Sequence, residues 1–199
     1  MRKRGTARLF VAIDPPAGAC ERLTAWAREA TIASGLRVSG GAVRLLDAGS
    51  LHLTLCFLGE RPTQEIDAID AALQAGAVGV GELSIGAPLW LPRKRPRALA
   101  VEVHDGAGEL RGLHDALARA IAQATAWEPD HRRFRGHVTL ARLRGRGRGA
   151  RTLAAPGGLP ATPSLRFTPQ MVTLYRSTLA PGGSLYEPLA RSRLLPAEL

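Results

Sequence analysis

Apolar residues recur along the chain with two spacings, and the switches between them mark out the elements. Leu9 to Ile13 is a continuous apolar run closed by Pro15-Pro16, which predicts a buried strand. From Ala19 to Ala33 the spacing becomes helical, with Leu23, Trp26, Ala27 and Ala30 on one face and Gly35 just beyond. Val43 to Leu46 and Leu51 to Leu58 read as strands joined by the turn Asp47-Ala-Gly-Ser50. Thr63 then looks like an N-cap, opening a helix with Ile66, Ile69 and Leu73 on its inner face that fades by Gly79. Leu83 to Leu91 and Ala98 to Val103 predict two strands around the basic, proline-rich turn Pro92-Arg-Lys-Arg-Pro96. Glu109 to Ala126 is a second long amphipathic helix carrying Leu110, Leu113, Leu117 and Ile121. Strands follow at Gly136 to Leu143, Leu165 to Phe167, Met171 to Ser177 and, after Pro181-Gly-Gly183, Leu185 to Leu189.

Strand, helix, two strands, helix, two strands, helix and then strands to the end is neither a strict βαβα wind nor an all-β pattern. It predicts an α+β fold with antiparallel sheets and helices on their outer faces. No linker divides the chain, so residues 1–199 are expected to form one compact bilobal unit. An apolar content of 45% suits a globular core, and no apolar run approaches the roughly 20 residues of a membrane span. Trp26, Trp90 and Trp127 fall on element patterns and are expected in the core.

Charge adds a partner class. The formal net charge is +10, from 27 Lys and Arg against 17 Asp and Glu. It is unevenly placed: residues 1–130 hold fifteen of each sign, whereas residues 131–186 hold ten Arg and no acid. GC-rich codon usage accounts for Arg over Lys and for the absence of Asn, but not for the missing acids. A polyanionic partner such as nucleic acid is expected. Cys20 and Cys56 stand 36 residues apart without metal-ligand spacing, which points to no metal site. The first apolar run is too short for a signal peptide, so a reducing, cytoplasmic setting is expected.

The chemistry lies in a repeat. His52-Leu-Thr-Leu55 and His137-Val-Thr-Leu140 are both His-x-Thr-Leu, 85 residues apart, each on strand-like sequence. Alternation along a strand puts His52 with Thr54, and His137 with Thr139, on one face, while the intervening residues take the core side. One such motif could merely satisfy a local polar network. Two with matching parity are hard to ascribe to coincidence. Around one groove they would supply two imidazoles for acid and base work at a phosphodiester, and two hydroxyls for its non-bridging oxygens. His104, His114 and His131 read as surface or capping residues.

The paired motifs resemble those of the 2H phosphoesterase superfamily. Their flanks, Arg8-Leu-Phe-Val-Ala-Ile-Asp14, Leu51-His-Leu-Thr-Leu-Cys-Phe-Leu-Gly59 and Arg135-Gly-His-Val-Thr-Leu-Ala-Arg142, resemble the RNA 2′,3′-cyclic phosphodiesterases, also called 2′-5′ RNA ligases. Leu174-Tyr-Arg-Ser177 and Tyr186-Glu-Pro-Leu189 extend the likeness over essentially the whole chain. The resemblance implies two pseudo-twofold lobes around a central cleft, with His52 and His137 as acid and base and Thr54 and Thr139 holding phosphate. It implies no cofactor, and hydrolysis of RNA ends bearing a 2′,3′-cyclic phosphate, tRNA fragments among them, to a 2′-phosphomonoester. ATP-independent formation of a 2′-5′ linkage is the related reaction. A monomer is expected.

Arg142 matches the arginine after the second motif, which would neutralise phosphate. Its odd step from His137 aims it away from the groove on a flat strand, so either the strand bulges or ends near Ala141, or Arg142 is a surface residue. The equivalent position after the first motif holds Phe57, which would pack against a nucleobase or fill core, with core favoured. The Arg144-Gly-Arg-Gly-Arg-Gly149 loop either grips RNA backbone or is a solvated hairpin tip. Tyr175 and Tyr186 could border the cleft. With the positive block beside the second motif, RNA is expected to leave over that side. Two rival functions keep the same residues: a phosphodiesterase of small cyclic nucleotides or ADP-ribose cyclic phosphate, and a non-catalytic RNA-binding module.

Overall fold

The computed structural model describes residues 5–35, 43–93, 96–130, 132–143, 158–181 and 183–195. His131, the Arg144–Gly149 loop and part of the turn after Pro92 lie outside the described residues. Strand β1 (Thr6–Ile13) is followed by helix α1 (Ala17–Ala33), then β2 (Val43–Leu45), β3 (Leu53–Pro62) and α2 (Ile66–Gly76). Next come β4 (Leu83–Leu91), β5 (Ala98–Asp105), α3 (Glu109–Ala124), β6 (His137–Leu143), β7 (Arg166–Phe167), β8 (Met171–Ala180) and β9 (Gly183–Arg193). The order is the one the pattern predicts, and the fold is α+β.

The strands form one curled antiparallel sheet, ordered β7-β4-β5-β6-β3-β1-β8-β9, with β2 added to β6. Its two halves, β7-β4-β5-β6 and β3-β1-β8-β9, meet through a single paired position, Leu53 opposite Val138. Strand β6 pairs β3 there and β2 further on, at Ala141 to Leu143, so the halves diverge around this point. The expected pair of sheets is therefore one sheet joined at a narrow seam.

All three helices contribute to the same core. Leu23 and Trp26 of α1, Leu73 of α2, and Leu113 and Leu117 of α3 cluster with alternate strand residues, Leu53 and Val138 included. The other face of the motif strands is left free for polar chemistry. Trp26 and Trp90 are buried and Trp127 packs partly buried against the core, as the pattern predicts. Gly76 lets α2 and α3 approach closely: a Cβ there would lie 3.2 Å from the Leu117 Cα.

Thr63 does not cap α2. Its backbone N–H bonds the Gly5 carbonyl at 3.0 Å, continuing the β1–β3 ladder, and a short 3₁₀ turn (Thr63–Glu65) intervenes before the helix. Arg61 clasps the end of that turn through two 2.8 Å bonds to Glu65. The two thiols are free and buried, and burial pushes Cys20 up to about 11 and Cys56 up to about 12, so neither is a reactive thiolate. Among the described residues no helix is long and apolar enough to cross a membrane.

Candidate active site

The seam between the halves sets the site. Leu53 and Val138 pair with their side chains in the core, both with no accessible surface. Their sequence neighbours project from the opposite face. Continued by one residue in each direction, the antiparallel register sets His52 beside Thr139 and Thr54 beside His137. All four line a cleft of about 290 Å³ together with Arg97, Arg142 and Tyr186.

Each imidazole is held in the same way. His52 Nδ1 lies 2.9 Å from the Ser50 carbonyl oxygen, and His137 Nδ1 lies 2.9 Å from the Arg135 carbonyl oxygen. A carbonyl can only accept, so Nδ1 carries the hydrogen in both rings and Nε2 is left for a substrate. The repeat in sequence is thus a repeat in geometry: a carbonyl two residues upstream sets tautomer and ring plane in each copy.

The two surroundings differ. His52 packs against Phe10, with ring centroids 4.8 Å apart, and meets Tyr186 edge-on at 5.0 Å. Burial holds its pKa below the ordinary histidine range, opposed by the bond to Ser50 and the Asp14 carboxylate, and aided by the charges of Arg142 and His137. That Arg142 and His137 act on His52 reflects how closely the two halves converge. Asp14 is itself fixed, accepting from Tyr175 Oη at 2.8 Å and Thr173 Oγ1 at 3.0 Å.

The parity conflict at Arg142 is resolved by a bulge. On β6, Thr139 pairs Ala100 and Ala141 pairs Leu99, leaving Leu140 without a partner. Leu140 and Ala141 both turn to the core, and Arg142 returns to the face of His137 and Thr139. The first motif bulges at the same step: on β3, Thr54 pairs Ala12 and Cys56 pairs Val11, leaving Leu55 over. Phe57 accordingly comes back to the cleft face. It is 53% exposed, which overturns the preference for a core role, and Arg8 lies over its ring at 5.0 Å. Phe57 does not line the cleft itself.

Tyr186 borders the cleft directly; Tyr175 sits behind, stacked on Phe10 at 5.2 Å. Three contributors escaped the sequence reading. Phe10 lies in an apolar run whose alternation was readable, but both its faces are buried and only the pairing tells them apart. Arg97 follows the basic turn, and Asp14 lies just past the first apolar run, before Pro15-Pro16. His104 is exposed beside Glu102, and His114 stacks on Phe134 at 4.4 Å, both away from the motifs.

A larger hollow of about 550 Å³ lies on the outer side of α3. Its Arg111 and Arg132 are answered by Asp115 and Asp130, and neither motif reaches it. In contrast, no carboxylate lines the cleft of the two histidines among the described residues.

A family model described as the 2′-5′ RNA ligase superfamily matches residues 15–179. A relative from Escherichia coli K12 named RNA 2′,3′-cyclic phosphodiesterase is 30% identical over 187 residues, spanning 92% of this chain and 94% of its own. One of the same name from Aeropyrum pernix is 33% identical over 122 residues, spanning 59% of this chain and 67% of its own. The crystal structure of E. coli LigT complexed with 3′-AMP matches with a TM-score of 0.72 at 28% identity, covering 96% of this chain and 99% of that one.

Proposed function

The chain belongs to the 2′-5′ RNA ligase superfamily, and from that premise we propose that it is a hydrolase opening RNA 2′,3′-cyclic phosphate ends to 2′-phosphomonoesters. One observation carries the reading: two imidazoles with Nδ1 committed to their own strands lie in one cleft with the threonines of both motifs.

The steps balance with these groups alone. The neutral imidazole takes a proton from water at Nε2 as the oxygen attacks phosphorus. The bond from phosphorus to O3′ breaks, and the protonated imidazole gives its Nε2 proton to O3′. The products are a 2′-phosphate and a 3′-hydroxyl, with the two histidines left in exchanged protonation states that solvent restores. Thr54 and Thr139 donate to the non-bridging oxygens, where charge accumulates in the transition state, and Arg142 neutralises it. No metal and no cofactor enter the scheme. With a 5′-hydroxyl in place of water, the same steps make a 2′-5′ linkage without ATP.

The exposed Phe57 beneath Arg8 offers a flat surface to a nucleobase on the first-motif side. Of the described arginines in the acid-free block, Arg142 lines the cleft and Arg135 precedes His137, whereas Arg132 is paired with Asp130 and Arg166 with Glu82, so an RNA strand on the second-motif side meets Arg142 first. Of that block only Arg176 sits on β8, in the other half, where Glu187 pairs it at 3.0 Å.

The test is incubation with an oligonucleotide ending in a 2′,3′-cyclic phosphate and identification of the phosphate position in the product. A 2′-phosphate formed by the wild type in EDTA, and lost in His52→Ala and His137→Ala, is the expected result. A well-folded double variant with full activity overturns it. An RNA-binding module would keep its affinity through both substitutions and turn over nothing.

A further inference from the structure

We propose that Arg97 is a second phosphate contact, taking the phosphodiester on the 5′ side of the terminal nucleoside and so giving the enzyme its preference for RNA ends over cyclic mononucleotides. The inference rests on the cleft being a cyclic-phosphate site, and it names the substrate length that the site selects.

Charge balance sets the argument. A cyclic phosphate carries one negative charge. A protonated imidazole and Arg142 already exceed it, so the charge of Arg97 on the same cleft is surplus to the reacting group. The guanidinium of Arg97 has no ion pair or hydrogen bond among the described residues, and no carboxylate lines the cleft there. An exposed cation left unanswered on the wall of a catalytic cleft suits a second anion.

The backbone of Arg97 is fixed for that role. Its N–H donates to the Leu91 carbonyl at 2.7 Å, and its carbonyl accepts from the Leu143 N–H at 2.8 Å. These bonds clamp it between the end of β4 and the end of β6. The next residue, Ala98, pairs directly with Arg142. Paired Cα atoms lie about 5 Å apart, so two long arginine stems leave neighbouring points of one wall and can reach successive phosphates. Leu91 and Pro92 complete this wall. A cyclic mononucleotide lacks the phosphate that Arg97 would hold.

The experiment compares Arg97→Ala with wild type on a 2′,3′-cyclic mononucleotide and on a trinucleotide ending in the same cyclic nucleotide, across a salt series. A charge-assisted phosphate contact predicts a loss of about tenfold in kcat/KM on the trinucleotide, expressed in KM. On the mononucleotide the change should stay within about twofold, and the logarithmic salt slope for the trinucleotide should fall by about one. Arg97→Lys should recover part of the trinucleotide KM. Equal losses on both substrates, or none on either, overturn the proposal while leaving the phosphodiesterase reading intact. A wild type that turns over neither substrate overturns both.

Discussion

Leu53 and Val138 form the ladder pair that joins β3 to β6 among the described residues, and both are wholly buried. The residues on either side of them are the two histidines and two threonines. One apolar pair therefore sets the spacing of four polar groups on the opposite face. Because strand side chains alternate, burying Leu53 and Val138 against the helices forces their neighbours outward. Packing in this seam is thus a condition for the spacing of the four groups.

Leu53→Ala should cost about 2–4 kcal/mol of stability through the cavity it leaves. It should also lower kcat under conditions where the variant is still fully folded. Urea unfolding with parallel kinetics checks both. A destabilised but fully active variant would separate the seam from the site.

Replacing either histidine by alanine should reduce kcat by at least about a hundredfold, the scale of one general acid or base. A substrate with an activated leaving group in place of O3′ should restore one of the two variants and leave the other inactive. The rescued variant identifies the acid, since a better leaving group no longer needs its proton. Rescue of both, or of neither, contradicts a divided acid and base role.

The bulge makes its own prediction. Leu140 is the residue without a partner on β5, and the bulge there lets Arg142, five residues after His137, face the cleft. Deleting Leu140 should restore regular alternation with Arg142 two steps from Thr139 and so still on the cleft face, and kcat/KM should fall much less than in Arg142→Ala. Arg142→Lys should recover only part, because it keeps the charge and loses the two-pronged fork. Kinetics of the three variants beside their circular dichroism would test this.

Much of this arrangement was legible in the chain. Element order, the shared face of each His-x-Thr and the placement of Trp26 and Trp90 in the core all follow from periodicity. The destination of Arg142 was not, because a bulge depends on the strand beside it: Leu140 reads as one more alternating residue until Leu99 and Ala100 are set against it. The same step misled the reading of Phe57, whose apolar character outweighed the parity of its strand. Thr63 has the side chain of a helix cap, yet a 3₁₀ turn over Thr63–Glu65 separates it from α2, whose cap position is Glu65. Arg97 and Phe10 reach the site from strands far away in sequence, so no local pattern could connect them to the histidines.

The remaining prediction concerns Asp14 and the titration of His52. Burial among Phe10, Tyr175 and Tyr186 favours the neutral ring and lowers its pKa, while the Asp14 carboxylate favours the charged ring and opposes that shift. The folded value lies below the ordinary one of about 6.5. The neutral ring therefore contributes stability that is complete above about 6.5 and is lost as pH falls toward the folded value. Asp14→Asn removes the opposing charge, so the pKa of His52 should fall further and the limb of the kcat/KM profile that reports His52 should move to lower pH with it. Tyr175→Phe removes one bond to the carboxylate but keeps its charge, so it should move the limb much less. NMR titration of the His52 ring in the three proteins reads the shift directly. An unchanged or raised pKa in Asp14→Asn would show that the carboxylate does not act on the ring.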